Sequence, residues 1–361
     1  MKIACIYHSI DLDGWMSAAI VKHWFVNQHP EGQINNHLIN EEVFNYEDVN
    51  IDFISYNYGQ PIPDLTGYDK VIMCDISFPA NIMLNMWEKL IWIDHHISAI
   101  NQVRDYCDEY DYDSSKPIGL RDIKYAACEL TWKYFFPNDT MPEIVRLLGR
   151  YDCFGHKLSN EEISEHNHLL NINPLIRSDS EHNRLCELER KFTEETNVLE
   201  FQYGARSCIS NYEDAYKYLV NTIDNPVGVN MVHQQGKGIY QYLCTEAKQS
   251  YKNGFEIKLD ERINGFPNSV EFKTRKFICI NKERFNPINF GIDYHKDGYD
   301  GCTCFHYANG IWNFSLYNDN GLVDCSIIAK QFGGGGHKGA AGFRINNITK
   351  FINDAKVTNY I

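Results

Sequence analysis

At 361 residues the chain is long enough for two domains of ordinary size, and a hydrophobic share of 43% with 14% aromatic residues excludes a disordered polypeptide. The net charge of −14 opposes the basic groove that a protein tracking a long polynucleotide requires, but leaves small anionic substrates held through metal ions compatible. Twelve scattered cysteines with no Cys-x-x-Cys pair, the closest being Cys302 and Cys304, read as reduced thiols of a cytoplasmic protein; neither a signal peptide nor a membrane span is expected.

The first predicted strand is Ile3 to Tyr7, ending in His8-Ser9-Ile10-Asp11-Leu12-Asp13-Gly14. The apolar stretch Trp15 to Phe25 follows as a buried helix, so the chain opens as a strand, turn and helix of a doubly wound unit. Asp-x-Asp-Gly also suits a calcium loop or an Asx turn. The calcium alternative weakens because Trp15 and Met16 stand where further oxygen ligands would have to follow.

Asn27 to Gln60 is polar and irregular, apart from a strand at Asp52 to Tyr56. Val71 to Cys74 is a further buried strand with Asp75 at its carboxyl end. Asn81 to Lys89 is a short helix leading into Leu90-Ile-Trp-Ile-Asp94-His95-His96-Ile97. Ligands of open α/β sheets collect beyond the carboxyl ends of such strands. Three strand ends thus supply His8, Asp11, Asp13, Asp75, His95 and His96, a mixed nitrogen and oxygen set suited to Mn²⁺ or related divalent ions. There are more carboxylates than one ion needs, so two ions bridged by one carboxylate is the economical arrangement.

These segments resemble the DHH phosphoesterase superfamily. His8, Asp11, Asp13 and Gly14 match its first motif, although two residues rather than the more usual three separate His8 from Asp11; Asp75 in Cys-Asp-Ile-Ser-Phe matches the second, and Asp94-His95-His96 the third. A fourth aspartate is expected after a helix. Pro142 to Arg150 reads as that helix, with Asp152 following it, and Asp139 is the weaker competitor. Tyr125 to Phe136 resembles the family's helix between the third and fourth motifs, and Glu129 within it reads as structural.

Ser159 to Leu219 is polar and helical, notably Asn183 to Tyr203, and Gln234 to Asn253 is a further helix ended by Gly254. Short strand-like runs follow at Phe277 to Ile280, Asn289 to Tyr294, Thr303 to Tyr307 and Ile311 to Leu316. The Gly333 to Gly336 run, His337 and Ala340-Ala341-Gly342 resemble the DHHA1 domain that accompanies many of these enzymes. Consecutive glycines can bring backbone N–H groups close to a phosphate, and a following helix would add its N-terminal charge. Where the family often has Ser-Leu-Arg-Ser, this chain has Ser315-Leu316-Tyr317-Asn318, so Tyr317 replaces the phosphate-contacting arginine; Arg344, Lys338 and Arg284 are candidates to compensate. By motif the resemblance covers roughly the first 155 and last 80 residues.

The fold expectation is therefore α/β: a parallel-sheet DHH domain with flanking helices over 1–215, motifs within 1–155, a helical linker over 216–263, and a smaller α/β DHHA1 domain over 264–361. The resemblance implies two divalent ions, Mn²⁺ first with Mg²⁺ or Co²⁺ as alternatives. One would be bound by His8, Asp11 and Asp75, the other by Asp13, Asp75, His95 and Asp152. Asp94 would orient a histidine and His96 would face the scissile phosphate. Gly334, Gly335, Gly336, His337, Tyr317 and Arg344 would hold the substrate. The implied activity is a phosphodiesterase or exonuclease releasing nucleoside monophosphates from short oligonucleotides or linear or cyclic dinucleotides. The alternatives are a 3′-phosphoadenosine phosphate phosphatase, a single-strand DNA exonuclease and a catalytically silent nucleotide-binding protein. No long duplex and no membrane is expected as a partner, and a homodimer is compatible.

Overall fold

The computed structural model describes residues 1–28, 38–39, 42–43, 49–113, 118–172, 174, 176–223, 225–264, 270–283 and 285–349. The chain divides into two compact units, Met1–Ile239 and Tyr240–Ile361. Among the described residues no helix is long and apolar enough to cross a membrane.

The first unit begins β1 (Lys2–His8) and α1 (Leu12–Gln28), then the two-residue strands β2 (Leu38–Ile39) and β3 (Glu42–Val43), β4 (Asn50–Tyr56), β5 (Lys70–Cys74), α2 (Ala80–Asn85) and β6 (Leu90–Ile93). The main sheet has the order β4-β1-β5-β6, and every neighbouring pair is parallel. Its central strands are apolar without interruption because both faces are covered. Ala4 and Ile6 of β1, Val71 and Met73 of β5, and Leu90 and Trp92 of β6 pack on one face. The alternate residues Ile3, Cys5, Ile72, Cys74, Ile91 and Ile93 pack on the other. The chain leaves β1 toward β4 and leaves β5 toward β6, so the direction of winding reverses between β1 and β5. The crevice beyond the carboxyl ends of those two strands is where such sheets bind ligands.

Helices complete the unit: α3 (Ile97–Tyr110), α4 (Ala127–Phe135), α5 (Glu143–Asp152), α6 (Asn160–Asn171), α7 (Asp179–Cys208), α8 (Tyr212–Thr222) and α9 (Pro226–Lys252), whose last turns belong to the second unit. Leu12, Met16, Ala19 and Ile20 of α1 join residues of α4, α5, α7, α8 and α9 in one helical core. Helices α7 and α9 touch backbone to backbone at Gly204 and Gly236. A Cβ on Gly236 would lie 1.7 Å from the carbonyl oxygen of Glu200, and one on Gly204 would lie 2.0 Å from that of Val232. Beside this crossing, His233 Nε2 pairs with Glu200 at 2.7 Å.

The second unit carries β7 (Phe255–Asn264), β8 (Val270–Asn281), β9 (Gly301–Ala308), β10 (Ile311–Tyr317), α10 (Cys325–Gln331), β11 (Gly335–Gly336) and β12 (Ala340–Ile345) in a six-stranded sheet of order β11-β12-β10-β9-β8-β7. Only β8 and β9 pair in parallel. Ile257, Phe277, Phe314, Leu316, Ala341 and Phe343 face α10.

Three expectations require correction. Strand β7 lies inside the expected linker yet pairs with β8 over all its residues, so the sheet begins well before 264. Asn289 to Tyr294 is not a strand: Pro287–Phe290 is a 3₁₀ turn ended by Gly291 in the left-handed conformation, and Phe285, Phe290 and Tyr294 bury their rings. Asn81 to Lys89 splits into α2 and a 3₁₀ turn at Trp87–Lys89.

Gly236→Ala is expected to destabilise the first unit by about 1–3 kcal/mol, because backbone cannot yield as a side-chain tip does. Gly238, on the same helix with nothing within 4 Å of an added Cβ, is the control. Thermal denaturation should show a lowered Tm for Gly236→Ala and an unchanged or raised one for Gly238→Ala.

Candidate metal centre

The carboxyl ends of β1 and β5 deliver the first group. His8 closes β1, and its Nδ1 lies 2.7 Å from Asp11 Oδ2 and 3.3 Å from Asp75 Oδ2. Asp11 also accepts the Gly14 backbone N–H at 3.0 Å, so one of its oxygens begins α1 while the other faces His8. Gly14 is dictated by this turn: a Cβ there would sit 2.1 Å from the His8 carbonyl oxygen. Asp75 follows β5 with φ +61°, a left-handed conformation costing a non-glycine residue about 1–2 kcal/mol. Its backbone N–H is held by the carbonyl of Ile93 at 3.0 Å, which fixes the strained turn against β6.

The first turn of α1, the segment after β6 and the end of α5 supply the second group. Asp13, Asp152 and Asp75 all approach His95 Nε2, at 3.6, 3.2 and 3.4 Å. Asp13 is gripped from behind, because its Oδ2 accepts the N–H of Ala127 at 2.9 Å and its Oδ1 that of Cys128 at 2.7 Å. These are the first amides of α4, which favour negative charge. Asp152 is the last residue of α5. That helix is tied to α4 by Arg150, whose Nε donates to Glu129 Oε1 at 3.0 Å and whose Nη2 donates to Oε2. The same Glu129 accepts the N–H of Ala126 at 3.0 Å. Glu129 is thus the structural residue that its sequence context indicated. The absence of a side chain at Gly149 leaves it room, since a Cβ there would lie 2.5 Å from Glu129 Cγ.

Asp94 stands behind the histidines. It is fully buried, its Oδ1 accepts the backbone N–H groups of His95 and His96 and pairs with His96 Nδ1 at 2.8 Å, and its Oδ2 accepts the Trp92 indole N–H at 3.2 Å. His96 therefore has its Nδ1 engaged by a carboxylate, which orients the ring. Residues 118–121 run beside β6, where Arg121 donates to the Trp92 carbonyl at 3.0 Å and lies over the Trp92 ring.

Among the described residues, three overlapping groups could hold a metal ion: His8, Asp11 and Asp75; Asp13, His95 and Asp152; and Asp75, His95 and His96. In each, the ligand atoms lie within 4.8 Å of one another. Two buried atoms at the junction, Asp75 Oδ1 and His95 Nε2, face each other without hydrogen-bond geometry. Buried polar atoms are almost always satisfied, and a pair left open among carboxylates and an imidazole fits a divalent cation with oxygen and nitrogen ligands.

The electrostatics agree. Burial raises the Asp13 carboxyl far above its ordinary range, and the Asp75 and Asp152 carboxylates add to the shift. Burial likewise raises Asp75, with Asp11 as its repelling neighbour. Burial alone would lower the imidazoles, but Asp11 and Asp75 carry His8 up to about 11, and Asp152 and Asp75 carry His95 up to about 12. His96 is raised to about 9 against the effect of burial, chiefly by Asp94. Asp94 itself stays below the usual carboxylate range, because His96 outweighs its burial. Carboxylates repel each other here and the histidines hold protons in compensation, as expected where a cation substitutes for those protons.

In the second unit, Gly335 and Gly336 pair with Gly342 and Ala341. The His337 N–H closes the turn onto the Ala340 carbonyl at 2.7 Å. The glycines follow helix α10 and lead into strand β12, so the expected helix after them is replaced by a hairpin. Close strand passage accounts for two of them: a Cβ on Gly334 would lie 2.1 Å from the Gly342 carbonyl oxygen, and one on Gly336, at φ +139°, would lie 2.6 Å from Ala341 Cα. Tyr317 ends β10 opposite Ala340, whereas Arg344 lies opposite Asn313, four pairs away along the ladder. Lys338 lies in the hairpin turn, and its carbonyl accepts the Cys325 N–H at 2.9 Å. Arg284 lies outside the described residues.

No protein-family model matches the chain. An uncharacterized protein, R106, of Acanthamoeba polyphaga mimivirus is 22% identical over 355 residues, covering 95% of this chain and 67% of the viral protein. Among solved structures, a pGpG-specific phosphodiesterase, PggH, from Vibrio cholerae aligns over 99% of this chain and 97% of its own at 13% identity and a TM-score of 0.42. An exopolyphosphatase-related protein from Bacteroides fragilis aligns over 98% and 91%, also at 13% identity and a TM-score of 0.42. At this level of similarity no residue-by-residue correspondence follows, and the functional reading rests on the side chains described above.

Residues that the motifs did not signal include Arg150 and Arg121, and Tyr58, whose ring centroid lies 6.1 Å from that of His8. A lone arginine or tyrosine distant in sequence carries no pattern.

Two predictions follow from this geometry. Ligation requires neutral imidazoles and ionised carboxylates, so Mn²⁺ binding near pH 7.5 should release protons, those of His8 and His95 among them, and the apparent affinity should rise with pH. Calorimetric titration in buffers of different ionisation enthalpy measures this, and zero release would contradict the ligand set. Glu129→Gln removes the charge paired with Arg150 and frees the end of α5. It should weaken the Asp13, His95 and Asp152 group while sparing that of His8, so less Mn²⁺ should bind per chain than in the wild type. A cost to stability of about 3 kcal/mol is expected from the unpaired arginine.

Proposed function

We propose that this chain is a divalent-metal-dependent phosphoesterase of the DHH/DHHA1 type that hydrolyses short oligonucleotides, or linear or cyclic dinucleotides, to nucleoside monophosphates. One observation carries the reading: two ligand groups, each of nitrogen and carboxylate oxygen donors, adjoin at Asp75 and His95 at the point where the sheet reverses its winding. His8, Asp11 and Asp75 would hold one ion, with Asp13, His95 and Asp152 holding the other and Asp75 shared. Such ions lower the pKa of water and neutralise charge on a phosphoryl group; Mn²⁺ is the first choice, with Mg²⁺ and Co²⁺ as alternatives.

The protein's own contribution is positional. Amides of α4 keep Asp13 in place, Arg150 and Glu129 keep the end of α5 in place, and Asp94 fixes the His96 ring by its Nδ1. His96 is the residue proposed to face the scissile phosphate, where its charge stabilises the equatorial oxygens and its other ring nitrogen delivers a proton to the leaving oxygen. Gly334, Gly335, Gly336, His337 and Tyr317 are proposed to bind the distal part of the substrate. Arg344, four pairs from Tyr317 along the β10–β12 ladder, would meet a part of the substrate away from Tyr317. The acidic chain disfavours a long single strand, which would be drawn in by a positive track.

The test is incubation with Mn²⁺ and end-labelled RNA and DNA of two to about twenty nucleotides, beside cyclic dinucleotides, 3′-phosphoadenosine phosphate and pyrophosphate. Short oligonucleotides or dinucleotides should be cleaved fastest, and equal or better cleavage of long chains would falsify the short-substrate reading. Asp75→Asn should lower kcat by at least about a thousandfold with an unchanged circular dichroism spectrum, since Asn tolerates the left-handed backbone while withdrawing the shared charge.

A further inference from the structure

Two exposed aromatic side chains are explained neither by the core nor by the ligand groups: Tyr58, beside His8 in space, and Phe154, two residues after Asp152 in the chain. Tyr58 lies in the turn after β4 and is 52% exposed. Its ring is tilted 58° to that of His8, and its hydroxyl lies 3.4 Å from Ser77 Oγ, a buried group two residues after Asp75. The hydroxyl end is fastened beneath the site while the body of the ring remains open. Phe154 lies two residues after Asp152 and is 57% exposed. Its backbone has φ +56°, a conformation that a bulky residue adopts only where its surroundings impose it. Neither ring packs into the hydrophobic clusters of the sheet or the helical core; the Lys157 ammonium lies over the Phe154 ring, 5.4 Å from its centroid.

Each exposed ring is thus adjacent in space or in sequence to a different ligand group, Tyr58 to that of His8 and Phe154 to that of Asp152. We propose that Tyr58 and Phe154 are nucleobase-stacking platforms, and that the two bases flanking the scissile phosphate rest on them. The proposal rests on the phosphoesterase reading and narrows it. Every nucleobase has a π face, so stacking tolerates any sequence, and a ring already anchored through its hydroxyl loses little freedom when a base settles on it. Inorganic phosphate chains have no such face and would gain nothing from either ring. The substrate class selected is therefore one carrying bases on both sides of the phosphodiester.

The experiment compares kcat/KM for a 5′-phosphorylated dinucleotide with that for the corresponding abasic phosphodiester, with Mn²⁺, in the wild-type chain and in Tyr58→Ala, Tyr58→Phe, Phe154→Ala and Phe154→Tyr. The ratio of dinucleotide to abasic kcat/KM should fall roughly tenfold in each alanine variant and stay within about twofold of wild type where a ring is retained. A ratio unchanged by both alanine substitutions, or lowered equally by Tyr58→Phe and Tyr58→Ala, would overturn the stacking role. If the wild-type chain hydrolyses neither substrate, the phosphoesterase reading fails on its own. Calorimetric binding of a nucleoside monophosphate then decides this inference separately: affinity lost in Tyr58→Ala supports it, and affinity equal to wild type sinks it.

Discussion

Buried carboxylates of like charge are crowded at the mouth of a parallel sheet, and the structure depends on how that repulsion is contained. Asp13 and Asp75 lie at most a few ångströms from His95 Nε2, and both are buried. Leaving such charges uncompensated would cost several kcal/mol each. Compensation comes from behind: the α4 amides on Asp13, the α1 turn on Asp11, and two backbone amides and an imidazole on Asp94. The oxygens and nitrogens left over at the front converge on one another. Much of the helical packing of the first unit serves this purpose, since Arg150 and Glu129 join α5 to α4 where Asp152 leaves the helix.

The strands that carry these groups were the most legible part of the sequence. Runs such as Val71 to Cys74 and Leu90 to Ile93 are apolar throughout because helices cover both faces, and their ends are marked abruptly by Asp75 and Asp94. The motif residues of the first half lie at or just after the ends of β1, β5 and β6, in the first turn of α1 and at the end of α5, and their ligand atoms converge there. The second unit was less legible. Asn289 to Tyr294 alternates apolar and polar residues as a strand would, but its rings are buried as an irregular segment, a tertiary choice that periodicity does not record. Strand β7 was absorbed into a linker because its outward residues, Glu256, Lys258, Asp260 and Arg262, give it the polar look of a connection.

The glycine run shows a different limit. Four consecutive glycines suit a phosphate cradle, yet Gly334 and Gly336 are already required by the close passage of β11 along β12. Packing and recognition can both select glycine, and the sequence does not separate the two causes. Tyr58, Arg121 and Arg150 were silent for another reason: their significance comes from contacts with His8, Trp92 and Glu129, formed across intervals of 50, 29 and 21 residues.

The grip of α4 on Asp13 links the chemistry of the centre to the dynamics of a helix end. First turns of helices ordinarily fray, and their amides exchange with solvent at a rate set by local opening. Here the amides of Ala127 and Cys128 are both donated to Asp13, so that turn can open only by releasing the carboxylate. Hydrogen–deuterium exchange at these two positions therefore reports whether the ligand shell is assembled, with no substrate and no turnover. An ion that tightens the shell would register there as slowed exchange on the far side of the centre from the solvent that brought it.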